Sequence, residues 1–250
     1  MKVVNGKRVS YASDKEFYQR QIRASKPHDR DRLVKTRISE ALRFLMLGGT
    51  LEHSSPQASR PDPGFSENVA FLDVGCRDGW SLAYLNRGLR SKGTFGIFSP
   101  PKHFRNVTGI ELSGETVEYA KTRKRNVIQA DIRSCVLNDA FDIIFSRHCL
   151  EHLDTPLGAV KNIARMLKPG GTFLAIVPRE DIDLNPDKSL HSYQFRGDND
   201  LADLIEATGL HVTVSFRRNQ YWISKRKYWY KLLPKRRLIE PELWVLATKM

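Results

Sequence analysis

Two rhythms of apolar positions run along this chain. Over 14–47 the spacing is helical. Within Asp31–Leu47 the residues Leu33, Val34, Ile38, Ala41, Leu42, Leu45 and Met46 share one face, and Gly48-Gly49 ends the run. Residues 48–66 are rich in Gly, Pro and Ser and read as a linker. From Val69 onward short apolar runs alternate with amphipathic stretches. Val69–Val74 suits a buried parallel strand, and Asp78–Leu89 the helix after it. Further strands are predicted at Val107–Leu112, Val127–Ala130, Phe141–Phe145 and Thr172–Val177, with a helix around Glu115–Arg125. Thr155 is placed to cap a helix with Pro156 at its first position. That helix runs to Leu167 with Leu157, Val160, Ala164 and Leu167 inward, and Lys168-Pro169-Gly170-Gly171 stops it. Leu201–Thr208 is a helix closed by Gly209, and Leu210–Phe216 and Leu243–Thr248 supply two more strands. Repeated strand–helix units predict an α/β fold with a doubly wound sheet and helices on both faces. The chain divides into an N-terminal helical arm and linker over 1–66 and an α/β domain over 67–250.

Composition narrows the class. Of 250 residues 40% are apolar and 28% charged, which is ordinary globular usage. No run approaches the roughly 18 apolar residues of a spanning helix, and the N-terminal residues lack the apolar core of a signal peptide. Three cysteines at no metal-ligand spacing argue against a disulfide framework, and no metal is expected. A cytoplasmic protein is expected. The net charge of +13 is uneven: +7 over 1–50, −2 over 51–210 and +8 over 211–250. In the last segment, cations alternate with aromatics from Arg217 to Arg237. Such a segment binds RNA, lies on an anionic membrane as a peripheral attachment, or packs its aromatics on the domain and leaves its charges in solvent.

The sharpest motif is Phe71-Leu72-Asp73-Val74-Gly75-Cys76-Arg77-Asp78-Gly79, a strand running into a glycine turn and then a helix. Asp73 at the strand end can hold a cationic group, or orient a water or the turn itself. Glu111 ends the second strand, where a carboxylate can accept both hydroxyl protons of a ribose, and Asp131-Ile132 follows the third. Acidic groups at three strand ends, without a Gly-x-x-x-x-Gly-Lys loop, suit a nucleoside lacking phosphates.

Together these residues resemble the class I S-adenosylmethionine-dependent methyltransferases, by motif over Val69–Val177 and more loosely through the last two strands. The resemblance implies a Rossmann-like, doubly wound sheet of seven strands, the last antiparallel, and S-adenosyl-L-methionine as cofactor. It also implies that Asp73, Gly75, Cys76 and Gly79 contact the methionine part, with Ser146 at the same site. Glu111 then binds the ribose with Leu112 beside the adenine, which Asp131 and Ile132 recognise. The chain departs from the pattern twice. Arg77 stands where a middle glycine is frequent, and its guanidinium either turns outward or meets the cofactor's carboxylate. Ser91–Asn106, with Pro100-Pro101, is an unusually long insertion, either inert or substrate-facing.

The methyl acceptor should enter after the fourth strand, at Ser146-Arg147-His148-Cys149-Leu150-Glu151-His152-Leu153. Its last three residues resemble a Glu-His-Leu segment of small-molecule methyltransferases. Pro178-Arg179-Glu180 and His191-Ser192-Tyr193-Gln194-Phe195 resemble a substrate-side loop of enzymes acting on sugars, lipids and other metabolites. His148, His152 and His191 are candidate bases, since imidazole as a class titrates near neutrality. Arg147, Glu151, Glu180 and Tyr193 are placed on the substrate side. The Asn/Asp-Pro-Pro-Tyr signature of nucleic-acid amino methylation is absent, and Cys135 and Cys149 read as packing residues. Tyr11–Ile22 is a candidate lid over the cofactor. The expected activity is methyl transfer to a hydroxyl or amine of a small-molecule acceptor, such as a glycan or lipid-linked precursor. An RNA methyltransferase docking through its basic ends and a cofactor-binding scaffold without turnover remain as alternatives.

Overall fold

The computed structural model describes, with side chains, residues 68–86, 104, 106–135, 137–180, 191–218 and 241–250, together with Ile38, Glu40, Ala41, Leu42, Phe44 and Leu45. It describes the backbone alone at 2–4, 7–9, 87, 91–93, 96–98, 219–223 and 236–240. In chain order the strands are β1 (Lys2–Val4), β2 (Lys7–Val9), β3 (Ala70–Val74), β4 (Ser91–Gly93), β5 (Gly96–Phe98), β6 (Asn106–Glu111), β7 (Val127–Gln129), β8 (Phe141–Arg147), β9 (Leu167–Pro178), β10 (His211–Ile223) and β11 (Arg236–Thr248). The helices bounded among the described residues are α1 (Trp80–Arg87), α2 (Gly114–Thr122), α3 (Pro156–Met166) and α4 (Asp200–Glu206).

Phe71 to Val74 are all buried, as a continuous apolar run requires of a strand covered on both faces. Around β3 a sheet of seven strands runs in the order β10-β11-β9-β8-β3-β6-β7. The five strands from β9 to β7 are parallel, and β11 is antiparallel to both β9 and β10. The chain leaves β3 toward β6 and β7, then returns to β8 on the other side. Strand order therefore reverses at β3 and β8, where the carboxyl ends of open α/β sheets bind ligands.

Alternation along β3 splits the core into two layers. Leu72 and Val74 face the layer under α3 and α4, and Phe71 faces the layer that holds Trp80, Tyr84 and Leu85 of α1. Helical residues Ile38, Ala41, Leu42 and Leu45 are buried in this second layer, as predicted for them, and Phe44, which the spacing did not single out, is buried with them. The Phe44 ring meets Phe216 and Trp244 edge-on, each at 5.4 Å between centroids. The linker, the lid segment Tyr11–Ile22, and Leu33, Val34 and Met46 lie outside the described residues.

Several expectations are corrected. Leu157 is 37% exposed at the first turn of α3, and Ala159, Ile163 and Met166 fill the inward face with Val160. Thr155 occupies the N-cap position without a side-chain capping bond. Lys168–Gly171 does not separate helix from strand: β9 begins at Leu167, and a register shift against β8 absorbs the extra residues. In the insertion, β4 and β5 form a small antiparallel pair. Two cations of the basic segment are packed on the domain. The Arg218 guanidinium donates to Glu40 at 2.9 Å and lies 5.0 Å from the Trp244 ring, and Arg217 reaches Asp198 at 4.0 Å. Among the described residues no helix is long and apolar enough to cross a membrane.

Candidate active site

At the end of β3 the backbone turns with φ of +74° at Gly75 and +50° at Arg77. A Cβ on Gly75 would stand 2.6 Å from the Cys149 Sγ, so only glycine lets β3 pass this close to the segment after β8. The Gly75 and Cys76 amides both donate to the Ile110 carbonyl, at 2.9 and 3.1 Å, tying the turn to β6. The Cys76 side chain is buried in the core. Gly79 lies against Arg125 and Val127, on the side of the turn toward β7.

The acidic residues at the strand ends divide their work. Asp73 is buried and accepts from the Ser81 hydroxyl, so it anchors the start of α1. Burial pushes its carboxyl up to about 7, against the opposing Ser81 bond. Glu111, 1% exposed, accepts from the Arg77 amide on one oxygen and from the Ser113 amide on the other, each at 3.0 Å. Burial raises its pKa, and these amides moderate the rise. Each oxygen keeps a second lone pair. A cavity of about 280 Å³ opens here, lined by Gly75, Glu111, Leu112, Asp131 and Ile132 on one side and by Cys149, His152, Leu153 and Ser192 on the other.

Asp131 brings a partner that its motif does not announce. Arg133 grips its carboxylate with Nε at 2.9 Å and Nη2 at 2.6 Å, and reaches Asp154 with Nη1 at 3.1 Å. The cavity rim is thus bridged from the third strand end to the segment before α3. Asn162 of α3 holds this turn by donating to the carbonyls of Ile132 and Arg133 at 3.0 and 2.8 Å.

After β8 the three candidate histidines part company. Ser146 is buried beside Cys149. Arg147 and His148 turn to β11, where Glu242 accepts from the Arg147 Nη2 at 2.7 Å and from Trp244 at 3.0 Å, with the His148 Nε2 at 2.8 Å. Burial alone would raise the Glu242 pKa. The His148, Arg147 and Trp244 donors override it and hold the carboxylate well below its usual range. Neither Arg147 nor His148 lines the cavity. Sequence reasoning missed Glu242; its only signal is an acid beside Pro241 at the head of an apolar strand.

Glu151 and His152 follow in a single 3-10 turn, and the loop at 191–195 comes to meet them. The Tyr193 amide donates to the Glu151 carbonyl at 2.9 Å, and the Glu180 amide to Phe195 at 2.8 Å. The His191 and His152 rings are 4.9 Å apart, and the His191 Nδ1 is hydrogen-bonded to the Glu180 carboxylate. A carboxylate accepts, so Nδ1 carries the hydrogen and Nε2 is the basic nitrogen. Glu151 is 1% exposed, and burial pushes its carboxyl up to about 7. Glu151, His152, Glu180, His191 and Tyr193, distant in sequence, therefore form one polar cluster against the cavity wall.

Comparison with known proteins follows this geometry. A family profile described as a methyltransferase domain matches residues 72–175. The ubiquinone biosynthesis O-methyltransferase of Burkholderia vietnamiensis is 26% identical over 156 residues, 56% of this chain and 64% of that protein. An uncharacterized methyltransferase of Mycobacterium tuberculosis is 31% identical over 111 residues, 42% of this chain and 48% of that protein. The chain thus aligns with less than two thirds of the length of these curated relatives. Among solved structures, the 1,6-didemethyltoxoflavin-N1-methyltransferase of Burkholderia thailandensis has a TM-score of 0.60 at 17% identity, covering 99% of this chain and 93% of that one. That structure holds 1,6-didemethyltoxoflavin and S-adenosylhomocysteine, and the likeness is one of fold.

Proposed function

We propose that this chain is a class I S-adenosylmethionine-dependent methyltransferase, as the methyltransferase-domain profile over 72–175 supports, and that it transfers a methyl group to a hydroxyl or amine of a small molecule. One observation carries the reading. A single cavity has the strand-end carboxylates on one wall and His152 on the other, with the Glu180–His191 pair in ring contact behind His152. The curated relative and the fold neighbour support it, being named for ubiquinone biosynthesis and for 1,6-didemethyltoxoflavin, both small-molecule chemistry.

The residues fit the cofactor. Gly75 keeps the β3 turn free of a Cβ, Glu111 has lone pairs to accept ribose hydroxyls, and Leu112 and Ile132 offer apolar surface for a base. When bound, S-adenosylmethionine supplies a methyl group already activated by its sulfonium. The protein's own work is alignment, exclusion of water and removal of the acceptor's proton. Leu153, Ile110 and Val74 close the cavity with apolar surface. His152, which lines the cavity, takes the proton, and His191, oriented by Glu180, packs against its ring from behind.

Radiolabelled S-adenosylmethionine added to an extract of the source cells, with and without the protein, tests this. Label should enter the small-molecule or lipid fraction, glycan and lipid-linked precursors included. Label confined to RNA or protein would overturn the reading.

A further inference from the structure

We propose that Glu151, His152 and His191 form a binding site for one divalent transition-metal ion of the zinc type. One ligand atom from each residue lies within 4.8 Å of the others, and the Glu151 Oε1 is 4.0 Å from the His152 Nε2. Zinc bonds of about 2.0–2.2 Å to nitrogen and oxygen place ligand atoms ~3.4 Å apart in a tetrahedron. Small side-chain rotations close that gap.

Two further observations point to a cation. Glu151 is 1% exposed, yet neither carboxylate oxygen has a hydrogen-bond partner among the described residues. Buried carboxylates are ordinarily paired, hydrogen-bonded or on a metal; the two imidazoles reach toward this one, with Arg147 and Glu180 as its other charged neighbours. The Glu180 carboxylate also holds the His191 Nδ1, the outer arrangement that fixes a metal-binding histidine and leaves Nε2 for the ion. The Tyr193–Glu151 backbone bond clamps the two contributing segments together in advance. Two imidazoles and one carboxylate suit zinc, with a position open to an acceptor oxygen. Magnesium and calcium prefer all-oxygen sets. His152 lines the cavity, so the ion borders the acceptor. With the ion bound the imidazole is a ligand rather than the base, and the ion takes over its part by making an acceptor hydroxyl easier to deprotonate. That consequence rests on the methyl-transfer reading, whereas ion binding does not.

The full chain, stripped with a chelator, is titrated with Zn²⁺ against a chromophoric competitor and with Co²⁺ followed by its visible absorption. One equivalent should bind. His152→Ala, His191→Ala and Glu151→Gln should each weaken binding at least tenfold, and Glu180→Gln by about 10–100-fold. Unfolding curves confirm that each variant is folded. Absence of stoichiometric binding by the wild type overturns the site, as does affinity unchanged in folded His152→Ala and His191→Ala. Methyl transfer by a protein that binds no zinc overturns the site alone. Zinc binding that responds to these variants, without methyl transfer to any fraction, supports the site and overturns the acceptor reading.

Discussion

Replacing Glu242 by Gln removes one charge from the junction between β11 and the segment after β8. The wild-type carboxylate, 2% exposed, serves three partners: Arg147 at 2.7 Å, His148 at 2.8 Å and Trp244 at 3.0 Å. Gln keeps the shape and one acceptor oxygen, but its NH₂ must face a donor whichever way it turns. Breaking a buried ion pair outright costs about 3–5 kcal/mol. Since Gln retains part of the hydrogen bonding, about 2–4 kcal/mol of destabilisation is expected at pH 7.5, read by urea unfolding. The pH dependence follows from the direction of the shift. The folded-state pKa is depressed below the ordinary 4.5, so the carboxylate's contribution is complete above about 4.5 and is lost as pH falls toward the folded value. The gap between wild type and Glu242→Gln should therefore hold from pH 7.5 to 6 and narrow below about 4.5. A gap under about 0.5 kcal/mol at pH 7.5, or one that widens on acidification to pH 4, would refute the assignment.

Gly75→Ala forces a side chain onto a φ of +74° and against Cys149. Left-handed strain of about 1–2 kcal/mol and overpacking of about 1–3 kcal/mol predict a loss of about 2–5 kcal/mol in urea unfolding, and weaker S-adenosylhomocysteine binding by calorimetry. A loss under about 1 kcal/mol would show that the turn yields. Asp73 is held protonated by burial up to about 7, so from about pH 4 to 7 the unfolded chain ionises it while the fold does not. Wild-type stability should therefore fall as pH rises through that window, by at most about 1.4 kcal/mol per pH unit from this group. Asp73→Asn should flatten the slope, and an unchanged slope would remove Asp73 as its cause. His152→Ala should lower kcat/KM by about 10²–10⁴, while His148→Ala, whose ring serves Glu242, should change it less than about tenfold. Equal losses would return His148 to the list of bases.

The strands of the seven-stranded sheet were legible because each holds an apolar run closed by turn residues; the three-residue strands β1, β2, β4 and β5 carry no such run and were not read. The ends of the legible strands were less clear. β9 starts five residues before Thr172 because its backbone pairs with β8 from Leu167, a contact that no local propensity encodes. Leu157 was misread for a related reason. Helical spacing places it on the apolar stripe, but Pro156, Ala159, Val160 and Ile163 fill the inward face and leave Leu157 at its edge. Side-chain partners set the remaining limit. Asp131 has the position of an adenine-recognising acid, yet two residues on stands the arginine that grips it. His148 has the residue type of a base, and a glutamate 94 positions away decides its orientation.

The two halves of the site are built by different means, which explains why one was readable as a motif and the other was not. The cofactor half consists of consecutive strand ends, where Gly75, Glu111 and Asp131 arrive at the carboxyl edge because parallel strands deliver them there. The proposed acceptor half is assembled by long-range contacts, Glu180 with His191 and Tyr193 with Glu151, while Glu242 holds Arg147 and His148 away from the cavity. A local pattern can mark the first half in any chain with this sheet, whatever the acceptor. On the proposed reading, the chemistry peculiar to this chain lies in 147–153, 178–180 and 191–195, where substitutions should alter the acceptor without disturbing the cofactor.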